Sequence, residues 1–138
     1  MIELTDQMRE YIATAAVDGT PVLVATASAD GHPDIAFKGS TMVWDGDHLA
    51  FWERAFGQTL SNMAENPNVC LQYFSREKRT GWKFFGVAEL HREGDLRQQI
   101  MDRTIQLELD RDPERKGVAV LVRIDQVKQG MNILMQRD

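Results

Sequence analysis

Residues 22–53 read VLVATASADGHPDIAFKGSTMVWDGDHLAFWE, and this stretch decides the fold. It opens with a run rich in β-branched residues, 22–28, that reads as a buried strand. Asp30-Gly31 follows, a strong hairpin signal because glycine tolerates positive φ. Residues 34–44 read as a second strand. Ile35, Phe37, Gly39, Thr41 and Val43 share one of its faces, and Ala36, Lys38, Ser40, Met42 and Trp44 share the other. Asp45-Gly46-Asp47 makes the next turn, and 48–53 is the third strand.

Downstream, 58–65 reads as a short helix stopped by Asn66-Pro67, because the residue before proline avoids helical geometry. Residues 69–74 and 82–90 are the fourth and fifth strands, joined by the charged segment SREKRT. A second helix is expected over 95–109, with Leu96, Ile100, Thr104 and Leu107 on its inner face. DRDPERK then reads as a solvated loop, and 117–127 is the sixth strand. Upstream, 5–16 reads as a helix that Thr5 caps, with Met8, Tyr11 and Ile12 on one face, ended by Gly19-Thr20-Pro21. The result is a mainly β, α+β chain. Its six short strands and two or three helices predict a small antiparallel barrel with helices packed outside.

At 138 residues the chain forms one domain, 1–138. Its net charge of −5 argues against a general nucleic-acid binder, which is more often basic. No apolar run approaches the length of a membrane span. The start, MIELTDQMREYI, is polar and helical in pattern, unlike a signal peptide, and the lone Cys70 fits a reducing compartment. These features make a cytoplasmic location the expectation.

No nucleophile elbow, P-loop or dinucleotide fingerprint is present, and His32, His48 and His91 are scattered without metal spacing. Cys70, in mid-strand, reads as a small core residue. Activity is therefore expected from a bound cofactor. Lys38 stands in an otherwise apolar strand. It is either a solvated lysine on an edge strand or a lysine aimed at an anionic ligand, with Gly39 letting a flat group approach the backbone. The segment FWERAFGQTLSN, 51–62, runs from a strand into a helix start. Arg54, Gln58 and Thr59 there either cap the helix or, with its free amides, hold a phosphate. The many aromatics nearby suit a core, a dimer interface or the walls around a flat ring.

Three motifs together resemble the flavin-binding split barrel of the pyridoxamine 5'-phosphate oxidase-like superfamily. They are Val24-Ala25-Thr26 through Asp30-Gly31-His32-Pro33, then Phe51-Trp52 with Gln58-Thr59 and Asn62 to Val69 around Asn66-Pro67, and then Lys83-Phe84-Phe85-Gly86-Val87-Ala88-Glu89. The resemblance implies a six-stranded Greek-key split barrel that dimerises, with flavin mononucleotide (FMN) sites at the subunit interface. By position it places Lys38, Gly39, Ser40 and Thr41 at the flavin ring and ribityl chain, along with Trp52, Glu53 and Arg54. It places Gln58 and Thr59 at the phosphate, and Gln72, Tyr73, Trp82 and Lys83 where a partner subunit contributes. Many members carry an Arg-Lys pair where this chain has the neutral Gln58-Thr59. A dianionic phosphate then depends on Lys38, Arg54, Lys83 and backbone amides. No counterpart of the arginine-bearing segment of the true pyridoxamine phosphate oxidases follows the sixth strand, so that substrate is not expected. The resemblance implies an FMN-dependent oxidoreductase of unknown substrate. The alternatives are a non-catalytic binding protein for flavin, deazaflavin or haem, with His91 as the candidate axial ligand, and a cofactor-free structural dimer.

Overall fold

The computed structural model describes residues Met1–Asp138 as eight strands and four helices. Helix α1 (Asp6–Ala13) starts at Thr5, whose Oγ1 accepts the Met8 N–H at 3.1 Å, and it buries Met8 and Ile12. Strands β1 (Val22–Ala27) and β2 (Pro33–Lys38) form the expected hairpin, in register from Val22↔Lys38 to Ala27↔Pro33. Gly31 turns it at a φ of 85°, a conformation that favours glycine.

The strand expected over 34–44 is interrupted. The Thr41 N–H and hydroxyl both donate to the Lys38 carbonyl, at 3.2 and 2.7 Å, which closes a turn over Gly39-Ser40. Only Met42–Val43 (β3) then resumes the ladder, against β4 (His48–Glu53). Ser40 bridges the gap with its side chain: Oγ donates to the Trp52 carbonyl at 3.1 Å and accepts the Trp52 N–H at 2.9 Å. A hydroxyl thus replaces one rung of backbone pairing, which keeps the buried groups satisfied.

Helix α2 (Gln58–Glu65) leads into β5 (Asn68–Ser75) and β6 (Thr80–His91). The helix expected over 95–109 breaks into α3 (Asp95–Arg103) and α4 (Gln106–Leu109). Thr104 is extended, with φ −71° and ψ 138°, and its hydroxyl donates to the Ile100 carbonyl at 2.8 Å. The break rotates α4, so Glu108 and Leu109 turn inward and Leu107 lies exposed instead of lining the inner face. After β7 (Val118–Gln129), the tail, for which no strand was expected, forms β8 (Asn132–Gln136) on β7. The interrupted second strand and this tail raise the strand number from the expected six to eight.

All pairings are antiparallel, in the order β2-β1-β5-β6-β7-β4-β3, and the sheet curls into a split half-barrel. Its interior is one core that includes Val24, Leu71, Tyr73, Phe84 and Ile124. Strand β4 is buried on both faces. Leu49 and Phe51 enter the main core, while Ala50 and Trp52 join Ile100, Leu109 and Ala119 in a second cluster beneath α3 and α4. No helix is long and apolar enough to cross a membrane.

Candidate functional site

Lys38 lies on the edge strand β2, yet it faces the interior. It pairs with the core residue Val22, whereas Ile35 and Phe37 point outward, 65 % and 68 % exposed. This arrangement inverts the usual alternation. The ammonium meets Glu53, which has no exposure and shares a face of β4 with Phe51. Lys38 Nζ lies 2.6 Å from Glu53 Oε1, off the hydrogen-bond axis, so the contact is a buried ion pair without a well-directed bond. Glu53 Oε2 accepts the N–H groups of Ala55 and Phe56, both at 2.8 Å. The carboxylate thus fixes the turn leading to α2, in which Phe56 takes a φ of 53°. Of the two sequence readings of Lys38, the solvated lysine is excluded, and its charge is committed to a residue of its own chain.

Arg54 emerges beside this pair. Its Nε donates to Glu108 Oε1 at 3.3 Å, and its two Nη groups make no hydrogen bond within the chain. Arg111 approaches the other Glu108 oxygen at 3.7 Å. A Cβ on Gly39 would come within 3.2 Å of that same Oε2, so α4 approaches closely here and a larger residue would press on the Glu108 carboxylate. Phe37, Gly39, Arg54, Glu108 and Arg111 line a cleft of about 260 Å³. Glu108 and Arg111 carry no local sequence signal. Only the break at Thr104 brings them here.

The first turn of α2 has Gly57 as N-cap and no side-chain cap. Gln58 donates to Asn62 Oδ1 at 2.7 Å, and Asn62 donates to Thr26 Oγ1 at 3.0 Å. Thr59 is buried. Trp52 Nε1 donates to Asp112 Oδ2 at 2.8 Å, so the segment read as a solvated loop carries an inward anchor. Burial alone would raise the Asp112 pKa. The N–H groups of Lys116, Trp52 and Gly117 outweigh it and hold the carboxyl below its ordinary value.

Gln72 and Lys83 are cross-strand partners on the outer face of β5 and β6, away from Lys38 and Arg54. Trp82 points the other way, into the core, stacked on Tyr73 with ring centroids 5.6 Å apart. Cys70 is half-buried on the outer face, not in the core, because Val69 and Leu71 take the inward positions. Burial raises its thiol pKa, against the pull of Lys83 and Lys128. Leu23, Phe37, Gln72 and Phe74 line a shallow cleft of about 310 Å³ on this face. His91 contacts Glu89. Asp45, Asp47 and His48 gather in one turn with ligand atoms within 4.8 Å of one another. His48 and Arg137 already serve these carboxylates, and the Arg137 hydrogen bond foremost lowers the Asp47 pKa.

Residues 4–129 match the family described as pyridoxamine 5'-phosphate oxidase. The chain belongs to this family. An uncharacterised protein of Methanocaldococcus jannaschii is 26% identical over 132 residues, covering 94% of this chain and 85% of its own length. Among solved structures, a variant of HupZ from Group A Streptococcus is 25% identical, with a TM-score of 0.72, covering 94% of this chain and 99% of that one. The fold recurs in an FMN-binding protein of Syntrophomonas wolfei at 13% identity, with a TM-score of 0.66 and coverage of 91% and 90%. As a member of this family the chain has the expected split barrel, with two strands more than the sequence indicated.

Proposed function

We propose that the protein is a dimeric FMN-binding oxidoreductase whose flavin lies between two copies of the chain. The observation that carries this reading is the inverted β2: charges turn inward, while Ile35, Phe37 and, on β5, Phe74 are displayed outward on a continuous sheet face. An apolar face of this kind marks a surface made to be covered. It borders the cleft that holds Arg54, next to the uncapped start of α2. The aromatic face suits a flat ring. The free Nη groups of Arg54 and the open amides of the first helical turn suit a phosphate. Bound flavin would supply hydride or electron transfer. The chain supplies orientation, exclusion of water and a fixed field from the Lys38–Glu53 pair.

A second reading is a cofactor-free dimer. It draws on one observation: Glu53 occupies both Lys38 and the amides of Ala55 and Phe56, and Glu108 occupies Arg54, so two carboxylates of the chain stand where an anion would be received. Titration of the purified protein with FMN, read by the flavin visible band and by light scattering for mass, separates the two. One FMN per subunit on a dimer supports the flavoprotein. A dimer that takes up no FMN at micromolar concentration sinks that reading in favour of the second.

A further inference from the structure

The tips of the β5–β6 and β7–β8 hairpins border a third groove, of about 550 Å³. Its eleven lining residues include three cations, Arg79, Lys83 and Lys128, and no acid. The chain as a whole has five more acids than bases, and Lys38, Arg54, Lys78, Lys116, Arg123 and Arg137 each have a carboxylate partner, while outside the groove Arg76 and Arg92 have none. The side chains of Arg79, Lys83 and Lys128 make neither an ion pair nor a hydrogen bond to any group of the chain. Lys83 and Lys128 are moreover directly opposite each other across the β6–β7 ladder. Like charges in that position are destabilising, and neither lysine has a carboxylate partner; the Lys128 ammonium meets only the Phe85 ring, 5.4 Å from its centroid. Both ammonium groups act on the Cys70 thiol, which places them over the same outer face.

The groove is also built to hold a shape. Gln129 Nε2 donates to Thr80 Oγ1 at 3.4 Å and links the two tips. The Phe74 ring lies over Gly81, where a Cβ would come within 2.9 Å of ring carbon Cδ2, and the ring forms one wall of the groove. That wall is 58 % exposed. Two cross-strand lysines, an arginine on the same groove and an exposed aromatic wall match a phosphate attached to an aromatic ring system.

We infer that this groove is a phosphate-binding site for an aromatic phosphate, held by Lys83 and Lys128 with Arg79 at its mouth and the ring against Phe74. The site stands on its own residues. Only the assignment of its phosphate to FMN, bound across the dimer, rests on the function proposed above. That assignment would move the flavin phosphate from Arg54 and the first turn of α2, where Gln58 and Thr59 are neutral, to this groove. The other source of the same chemistry is a separate phosphorylated substrate, such as a nucleotide.

Calorimetric titration with two ligand pairs, FMN against riboflavin and adenosine 5'-monophosphate against adenosine, tests the site in the wild type and in Lys83→Gln/Lys128→Gln. Both lysines are on the surface side of the sheet, and circular dichroism checks that the variant folds. A Lys83→Glu variant serves as a second probe if it does not. The wild type is expected to prefer the phosphate form in at least one pair by about tenfold or more, since one charge-assisted contact is worth that much. The double variant is expected to bring that preference close to unity. Loss confined to the FMN pair assigns the phosphate to the flavin, and loss confined to the adenosine pair assigns it to a separate ligand. The second result supports the groove even where neither flavin binds. Equal affinity within both pairs in the wild type, or a preference that survives the double substitution, overturns the inference.

Discussion

The Lys38–Glu53 pair allows a quantitative test. Lys38→Met keeps the length of the side chain and removes its charge, leaving the unexposed Glu53 carboxylate with two amide donors and no counter-ion. Breaking a buried ion pair by removing one partner costs ~3–5 kcal/mol. The Lys38 side chain is 9 % exposed, so some water reaches the ammonium and the lower end of that range applies. The expected loss is about 3 kcal/mol, or roughly 9 °C in Tm for a chain of this size. Glu53→Gln should lose a similar amount: its amide oxygen can still accept from Ala55 and Phe56, but it leaves the ammonium unpaired. Removing both charges in Lys38→Met/Glu53→Gln should return stability to within ~1 kcal/mol of the wild type, because well-packed uncharged replacements are close to neutral. Urea unfolding at a fixed protomer concentration gives all four corners of the cycle. The expected coupling is at least ~2 kcal/mol. Additive losses, with coupling under ~0.5 kcal/mol, would refute the buried pair and return Lys38 to the residues free to hold an anion.

Other substitutions probe separate parts of the fold. Tyr73 has a fully buried hydroxyl without a partner, so Tyr73→Phe should raise stability by about 1 kcal/mol in the same urea assay. A Cβ on Gly86 would lie 2.1 Å from the Arg123 carbonyl oxygen, beside the β6–β7 irregularity, so Gly86→Ala should destabilise by ~3 kcal/mol or more, read as a lower urea midpoint. The lowered Asp112 pKa means that this carboxylate contributes stability above its unfolded pKa near ~4, and loses it as pH falls through the lower folded value. Asp112→Asn should therefore be less stable at neutral pH and show a shallower acid decline in Tm, whereas parallel curves would contradict this. Glu108→Gln removes the negative charge beside Arg54, so FMN with its phosphate at Arg54 should bind about threefold tighter while riboflavin is unchanged in titrations, taking ~0.7 kcal/mol for a partly exposed pair, whereas unchanged FMN affinity would place the phosphate elsewhere.

The local signals in this sequence are turns and alternation, and they determined the hairpin at Asp30-Gly31, the end of α2 at Asn66-Pro67, the cap at Thr5 and the antiparallel order of short strands. Each depends on the backbone preferences of one or two residues, which travel with the sequence. The interruption after Lys38 was not legible, because it depends on Ser40 reaching the Trp52 backbone twelve residues away. The direction of Lys38 was equally hidden. Alternation sorts residues into two faces but does not say which is inside, and the choice falls to Glu53 on another strand. The same holds at the candidate site. Arg54, Gln58 and Thr59 could be picked from a strand-to-helix join. Glu108 and Asp112 reached Arg54 and Trp52 only when α4 folded back, and on the separate outer face Lys83 met Lys128 only when β6 paired with β7. Charges separated by tens of residues acquire an interaction energy only once the chain has closed the distance between them, and closing it is the work of the tertiary fold.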